Sequence, residues 1–567
     1  MSSFLTQHLF DNEEINLFEL CEKDPKLAND IIKNTSEYPS LYKKTLTNIP
    51  YVLFSNKGFR TSNVNKIVCV KGVVIRAHQV FLKNSKIEYS CLKCNFKGVA
   101  DDLGVGKKNI VVCEACGSTA TIKKECLGNA IKTQVIRIQD IGNISNFSEI
   151  FEILLEGDSA GKYSPGEEII VAGVLKLKYK TLKQNEPIMM TTYLHALYVN
   201  KAWDDGVGNA DSFVEFDEIS RLETFKKRLF LINSLTDDIH GFSNVKLGIL
   251  LVLSNGHIEN TNSNRQMSHI LLIGDSGTGK STFLNICTKL ISPAILTNGV
   301  STSNAGLTSC AVKQGKEWSL EAGALVLADT GICCIDEFNK LKVNEKGGLL
   351  ESMEQQTLSV AKAGIVSSLN TRCSIIAACN MRNYYNKNKT VSENTMISTP
   401  LVSRFDLIFG LFDSRNNKLD DCIAEKILNR STVQIDDSKT RYNDKWTAPT
   451  LKRYLSKIRK LDIKIDVELS KILSMYYNAR RKKEDSNEFN TIRMLESLIR
   501  LSEGHAKLLN KKRVEKEDVY TAILLMESCI NSTSLVSLKY HEMFTDENVY
   551  NECLKIVKEK YKLDLIC

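Results

Sequence analysis

The sequence predicts a multidomain α/β protein. It comprises an N-terminal helical segment, a β-barrel carrying a small four-cysteine insertion, a parallel-sheet nucleotide-binding domain and a helical C-terminal part. Three observations predict this. The 567 residues suffice for three or four domains. β-branched runs fill residues 63–200, whereas from Phe216 to about Asp413 short apolar runs alternate with helical stretches. Within that second region a glycine-rich loop ending in Lys280-Ser281 lies between a strand and a helix.

Composition narrows the class. Hydrophobic residues make up 43% and charged residues 25%, which excludes a mainly disordered, collagen-like or fibrous chain. No apolar run approaches the ~18 residues of a membrane span. The acidic, polar stretch Met1 to Glu14 does not read as a secretory leader. The 17 cysteines are odd in number and mostly scattered. Cys287, Cys310, Cys333, Cys334 and Cys379 lie in or beside apolar runs, as reduced thiols do, so a reducing compartment is expected. The net charge of +8 is compatible with polyanion binding and equally with a mildly basic surface.

In chain order, Leu17, Leu20, Cys21, Leu27, Ile31 and Ile32 recur at helical spacing, so 1–62 is read as a helical domain. Residues 63–200 hold strands at Ile67–Ile75, Thr133–Ile138, Ile169–Leu177 and Met189–Tyr198, with the insertion at about 88–120. A polar, Gly-rich linker spans 201–225. The parallel-sheet α/β core is placed at 226–415, a second linker at 416–446, a helical part at 447–531 and a tail helix at 532–567.

The strongest chemical signal is Gly274-Asp275-Ser276-Gly277-Thr278-Gly279-Lys280-Ser281, preceded by the apolar strand Ile270–Ile273 and followed by a helix from Thr282. Glycines let backbone N–H groups curl around phosphates, and the helix start adds positive potential. Lys280 would reach the β- and γ-phosphates of ATP, and Ser281 would ligate Mg²⁺. A second apolar run, Gly331 to Ile335, ends in Asp336-Glu337. Asp336 would hold the Mg²⁺ shell and Glu337 would act as general base toward water. The expected chemistry is NTP hydrolysis. Asn380 ends another buried run, where it could orient the water or simply cap a strand. Arg404 in Ser403-Arg404-Phe405-Asp406 fits an arginine finger, and the residues alone leave open whose site it serves.

Cys91-x-x-Cys94 and Cys113-x-x-Cys116, separated by eighteen residues, have zinc-ribbon spacing. Four thiolates would close a structural zinc site, and unpaired redox thiols are the alternative. Lys176, Lys178, Lys180 and Lys183 alternate with apolar residues before a polar turn. They could meet DNA phosphates or merely protect an edge strand. Lys362 beside Gly364 is a second candidate. The run Arg480 to Lys483 reads as a solvated helix end, with nuclear import a weaker reading.

Together these residues resemble the minichromosome maintenance (MCM) helicases over nearly the whole chain. The phosphate loop, Cys334-Ile335-Asp336-Glu337-Phe338 and Ser403-Arg404-Phe405-Asp406-Leu407 carry the resemblance, with Met353 to Gly364 and Thr491 to Leu501. It implies an OB-type barrel with a zinc ribbon, an AAA+ ATPase core and a helical lid, assembled in a hexameric ring acting on single- and double-stranded DNA in the nucleus. Lys280, Ser281, Asp336, Glu337 and Asn380 would come from one subunit, and Arg404 and the sensor Arg493 from its neighbour. Lys362 would lie on a DNA-gripping hairpin and Lys313 near a second one. Gly279 before the loop lysine and Glu317 to Ala324 look most like the paralogue-nine branch. That branch implies work with paralogue eight in homologous-recombination repair. A replicative ring subunit and a mainly structural ATP- and DNA-binding member are the alternatives. Ser276 and Thr282 depart from the family pattern without removing a ligand, and Met381 replaces the Pro expected after the sensor Asn380, which bears on that residue's orientation.

Overall fold

The computed structural model describes residues 14–16, 45–47, 61–84, 86–101, 113–119, 121–124, 130–139, 150–179, 190–201, 222–236, 238–256, 265–314, 317–362, 364–381, 390–412, 421, 424, 445–482, 491–534 and 543–561. Residues 1–208, with 310–322 and 362–365, form one compact unit, and the rest of the chain forms a second.

In the first unit, β1 (Glu14–Asn16) and β2 (Thr45–Thr47) pair in parallel. These six residues correct the helical reading of 1–62. Ile15, Thr45 and Thr47 are β-branched and favour the extended backbone. Most of the remaining expectation for that segment falls outside the described residues.

The strands that follow are β3 (Ile67–Ala77), β4 (Phe81–Asn84), β5 (Lys86–Cys91), β6 (Lys97–Asp101), β7 (Thr121–Lys124), β8 (Ala130–Gln139), β9 (Ile150–Glu156), β10 (Glu168–Tyr179) and β11 (Met190–Lys201). Strands β3, β10, β11, β9 and β8 pair in that order, and β8 returns to β3, which closes a five-stranded barrel. Only β11–β9 is parallel. Closure places one side of every strand inside. Ile136 and Ile138 of β8, Ile153 and Leu155 of β9, and Val171 and Leu175 of β10 are all buried there at period two. Gly173 sits at a register shift, where a Cβ would lie 2.1 Å from the His195 carbonyl oxygen. β6, β5 and β7 form a separate small sheet inserted between β4 and β8.

The second unit is built on β12 (Ile270–Gly274), β13 (Ala294–Asn298), β16 (Ile332–Asp336), β19 (Ser374–Asn380) and β20 (Leu407–Leu411), a wholly parallel sheet ordered β13-β16-β19-β12-β20. Hydrophobic layers cover both faces, so the strands read as unbroken apolar runs. Ile270 and Leu272 face one layer, and Leu271 and Ile273 the other. A hairpin of β14 (Ser309–Gln314) and β15 (Glu317–Ala322) is inserted between β13 and β16, and β15 pairs with β3 through Glu321 and Arg76. A second hairpin joins β17 (Thr357–Lys362) to β18 (Ile365–Asn370).

The longer helices are α1 (Thr224–Leu235), α2 (Ser243–Ser254), α3 (Lys280–Leu290), α4 (Val343–Gln355), α5 (Ala448–Ile458), α6 (Val467–Lys482), α7 (Ile492–Leu508), α8 (Lys516–Ser534) and α9 (Glu547–Tyr561). α3 buries Phe283, Leu284, Cys287 and Leu290, the i, i+1, i+4, i+7 stripe of a helix packed on one side. Helices α5 to α8 form the lid, and α9 lays Cys553, Val557 and Tyr561 on it.

One basic position is corrected here. Arg480, read as part of a solvated helix end, is buried and ion-paired with Glu527. Tyr476 and Tyr561 donate to the same carboxylate oxygen at 2.7 and 2.9 Å. A buried carboxylate needs charged and hydrogen-bonding partners, and these supply them. Among the described residues, no helix is long and apolar enough to cross a membrane.

Candidate active site and metal cluster

The C-terminal ends of parallel strands are where such a sheet binds ligands, and the predicted site residues gather there. Gly274 of β12 is register partner of Asn380 of β19, and Asp336 of β16 is partner of Asn298 of β13. A Cβ on Gly274 would lie 2.1 Å from the Leu411 carbonyl oxygen. Gly277 and Gly279 have φ of 86° and 83°, left-handed values that glycine adopts without strain. A side chain would clash at Gly274, and the left-handed backbone would strain one at Gly277 or Gly279.

Lys280 opens α3 and donates to the Gly274 carbonyl at 3.1 Å, to Thr278 Oγ1 at 3.3 Å and to the Asp275 carbonyl. The ammonium thus lies within the loop's own curl, and burial pulls its pKa down. Ser281 Oγ donates to Asp336 Oδ2 at 2.6 Å, which joins the two residues predicted to ligate Mg²⁺. They line a cavity of about 430 Å³ with Asn285, Thr297, Asn298 and Ser301. Asp275, Ser276 and Thr282 complete the loop and the first helical turn.

Glu337 follows β16 with φ of 52°, a left-handed conformation uncommon for a non-glycine residue and typical of functional turns. Its N–H donates to Asp336 Oδ1 at 2.8 Å, and Lys340 pairs with its carboxylate. The Asn380 carbonyl accepts from Asn339 Nδ2 at 3.0 Å.

Arg404 and Arg493 form a second group. Arg404 Nη1 donates to the Pro400 carbonyl at 2.7 Å, and Arg493 Nη1 to Ser403 Oγ at 2.9 Å. Each gives its Nη2 to the Glu354 carboxylate. Burial pushes the Glu354 carboxyl up, but the two arginines outweigh it and hold it below the usual range. No hydrogen bond or ion pair joins Arg404 or Arg493 to Lys280, Ser281, Asp336 or Glu337 among the described residues.

Asp406, two residues beyond Arg404, is fully enclosed. It accepts from Arg265 Nη2 at 2.7 Å, Arg500 Nη2 at 2.6 Å, Ser497 Oγ at 2.5 Å and the His269 N–H at 2.7 Å. Burial opposes its charge, yet Arg265 and Arg500 outweigh that cost and hold its pKa well below the ordinary value. Sequence reading missed Glu354, Arg265, Ser497 and Arg500. One signal existed: Arg493, Ser497 and Arg500 fall at i, i+4 and i+7, which places them on one face of α7.

In the first unit the four cysteines converge. Cys91 and Cys116 Sγ lie 3.5 Å apart, Cys94 and Cys113 Sγ 3.6 Å, and all four sulfurs lie within 4.8 Å of one another. Tetrahedral zinc with bonds of about 2.3 Å sets sulfurs about 3.8 Å apart, so the cage fits that ion. The two halves are built alike: Asn95 N–H bonds the Cys91 carbonyl and Gly117 N–H the Cys113 carbonyl, both with left-handed φ. The Cys94 N–H, aimed at Cys91, lowers that thiol, whereas the neighbouring sulfurs push Cys94 and Cys116 up against the pull of their own backbone N–H contacts.

The predicted DNA-contact lysines fare unevenly. Lys176 and Lys178 share a face of β10. Lys178 Nζ lies 3.6 Å from Glu152, and the Glu156 charge supports Lys176, which burial depresses. Acids of β9 thus accompany this part of the ribbon. Lys180 and Lys183 fall outside the described residues. Lys313 is exposed with its ammonium 5.9 Å from the Trp318 ring, and Lys362 is exposed at the end of β17.

A parallel sheet in this strand order, a phosphate loop on its fourth strand, an acidic pair on the second and a helical lid define a P-loop ATPase of the AAA+ class. Comparison with known proteins extends this. The MCM OB domain matches residues 55–179, the MCM P-loop domain 214–431 and the MCM AAA-lid domain 449–530. The chain belongs to the MCM family. It is 34% identical over 523 residues to a protein of Oryza sativa subsp. indica named "Probable DNA helicase MCM9", spanning 87% of this chain and 77% of the relative. An Arabidopsis thaliana protein of the same name is 33% identical over 508 residues, 85% of this chain and 78% of the relative. The "DNA replication licensing factor MCM2" of Oryza sativa subsp. indica is 29% identical over 606 residues, 97% of this chain and 62% of the relative.

Proposed function

We propose that this chain is an ATP-dependent DNA helicase subunit of a hexameric MCM ring, with each nucleotide bound between neighbouring protomers. The single observation that carries the reading is the separation of two groups within one chain. Ser281 and Asp336 are hydrogen-bonded beside Lys280 and Glu337, while Arg404 and Arg493 share Glu354, and no hydrogen bond or ion pair joins the two groups among the described residues. An arginine finger serves catalysis only where it meets a phosphoryl group, so a neighbour must supply the missing half.

The phosphate-loop N–H groups and Lys280 bind the β- and γ-phosphates of ATP. Ser281 and Asp336 would hold Mg²⁺, which would supply neutralising charge to the phosphate oxygens. Glu337 takes the proton of the attacking water, with Asn380 at the adjacent strand end to orient it. As the water oxygen bonds to the γ-phosphorus, the bond to the β–γ bridging oxygen breaks. The neighbour's Arg404 and Arg493 stabilise the charge that builds up. Lys362, Lys313 and the Lys176–Lys183 ribbon contact the DNA backbone. The domain division follows the boundaries read from the sequence, with β1 and β2 amending the first segment.

The higher identity to the proteins named MCM9 favours the paralogue-nine branch over a licensing factor. Paralogue eight as ring partner, homologous-recombination repair as the setting and the nucleus as the location follow from that branch. The test is to purify the chain with its interactors and assay a forked DNA duplex with ATP and Mg²⁺. ATP-dependent strand displacement is expected, and its absence from an assembled, ATP-binding complex overturns the helicase reading. Mass spectrometry of the same preparation identifies the partner.

The cysteine cage is proposed to hold one structural zinc. Elemental analysis should find about one zinc per chain, lost on Cys113→Ser. A metal-free preparation with a folded ribbon would dismiss the assignment.

A further inference from the structure

Glu354 lies at the end of α4 and has no part in the chemistry described above, yet it is the common partner of both arginines of the composite site. Its Oε1 accepts from Arg493 Nη2 at 2.6 Å, and its Oε2 accepts from Arg404 Nη2. The other terminal nitrogen of each guanidinium is fixed by its own scaffold, the Pro400 carbonyl for Arg404 and Ser403 Oγ for Arg493. One carboxylate therefore takes one hydrogen bond from each of two cations. The Arg404 side chain is 15% exposed, Arg493 33% and Glu354 45%, so the carboxylate is the most solvent-accessible of the three.

Guanidinium groups grip carboxylates and phosphoryl groups through the same N–H···O geometry. Two adjacent guanidiniums repel each other unless an anion lies between them. Glu354 supplies that anion with a single negative charge. A γ-phosphoryl group brings more charge and more acceptor oxygens, and can take its place oxygen for oxygen. ADP has no γ-phosphoryl group to offer.

We propose that Glu354 is a positioning residue that stands in for the γ-phosphoryl group: it keeps Arg404 and Arg493 paired, yields them to the neighbour's ATP, and recaptures them when phosphate leaves. This inference rests on the reading of a nucleotide site shared between protomers. It makes Glu354 a discriminator between ATP and ADP, because only the triphosphate competes with it. Its removal lowers the cost of engaging ATP and leaves ADP unaffected.

The experiment uses the assembled complex with Glu354→Gln, which preserves side-chain size and one acceptor oxygen while removing the charge. The β,γ-imido analogue of ATP should bind about three- to tenfold more tightly than to wild type, with ADP within about twofold. Glu354→Ala, lacking both oxygens, should show the same selective gain. A structural ion pair predicts the opposite or nothing. Weaker analogue binding, no change, or an equal change for analogue and ADP overturns the inference. Arg404→Ala in the same series separates the two claims. If it hydrolyses ATP like wild type, the shared-site reading falls. If it is inactive while Glu354→Gln shows no selectivity, only the role of Glu354 falls.

Discussion

Complexes carrying Arg404→Ala are expected to retain ATP binding yet hydrolyse it at least ~100-fold more slowly, as loss of an arginine finger does. Lys280→Ala should lose a comparable factor for a different reason, since it removes the cation that holds the β- and γ-phosphates in the protomer's own loop. On the proposed shared site the two defects reside in opposite halves of one seam, which gives a sharper expectation for mixtures. In rings built from this chain alone, a Lys280→Ala protomer still offers Arg404, and an Arg404→Ala protomer still offers Lys280. A one-to-one mixture therefore restores about a quarter of the seams by random assembly, and activity should rise far above the residual level of either parent. ATP turnover measured on the mixture and on each parent decides it. A mixture as inactive as its parents, with sizes confirming co-assembly, would place Arg404 outside the shared site.

Asp406→Asn carries the second large expected effect, on stability. Arg265 and Arg500 have side chains only 9% exposed, and Asp406 is their common counter-ion. The substitution strips Arg265 of its ion pair and leaves Arg500 only the exposed Glu496 at 3.7 Å, at a cost of about 3–5 kcal/mol, the range for breaking a buried ion pair from one side. The native carboxyl lies below its unfolded value of about 3.9. Its contribution is therefore fully present above that pH and lost as pH falls toward the native value. Chemical or thermal melts of both forms at neutral and strongly acidic pH test this. The difference between them should shrink on acidification, and a variant as stable as wild type at neutral pH contradicts the assignment.

Much of the second unit was legible because its chemistry is local in the chain. The phosphate loop and the acids at the end of β16, like the four cysteines of the first unit, each announce themselves within a dozen residues or a fixed spacing. The parallel sheet was legible because its strands, buried on both faces, are unbroken apolar runs such as Ile270–Ile273. What escaped depends on long-range pairing. Glu354 reaches Arg493 across 139 residues and Asp406 meets Arg265 across 141, and no local pattern encodes such a meeting. Arg480 looked solvated because its neighbours Arg481 and Lys482 are exposed, whereas its partner Glu527 lies on another helix. The lysine ribbon was read from one strand, and the acids Glu152 and Glu156 that temper it belong to another.

The Asp406 knot has a mechanical consequence. It clasps Arg265 and the His269 N–H on one side, and Ser497 and Arg500 of α7 on the other, within two residues of the finger. Arg493 rides on the same helix, one turn before Ser497. α7 thus carries Arg493 and is tied through Asp406 to the segment that bears Arg404. A cavity opened at Leu498 or Leu501, both fully buried where α7 packs on the core, would therefore loosen the protomer that bears it and the Asp406 clasp together.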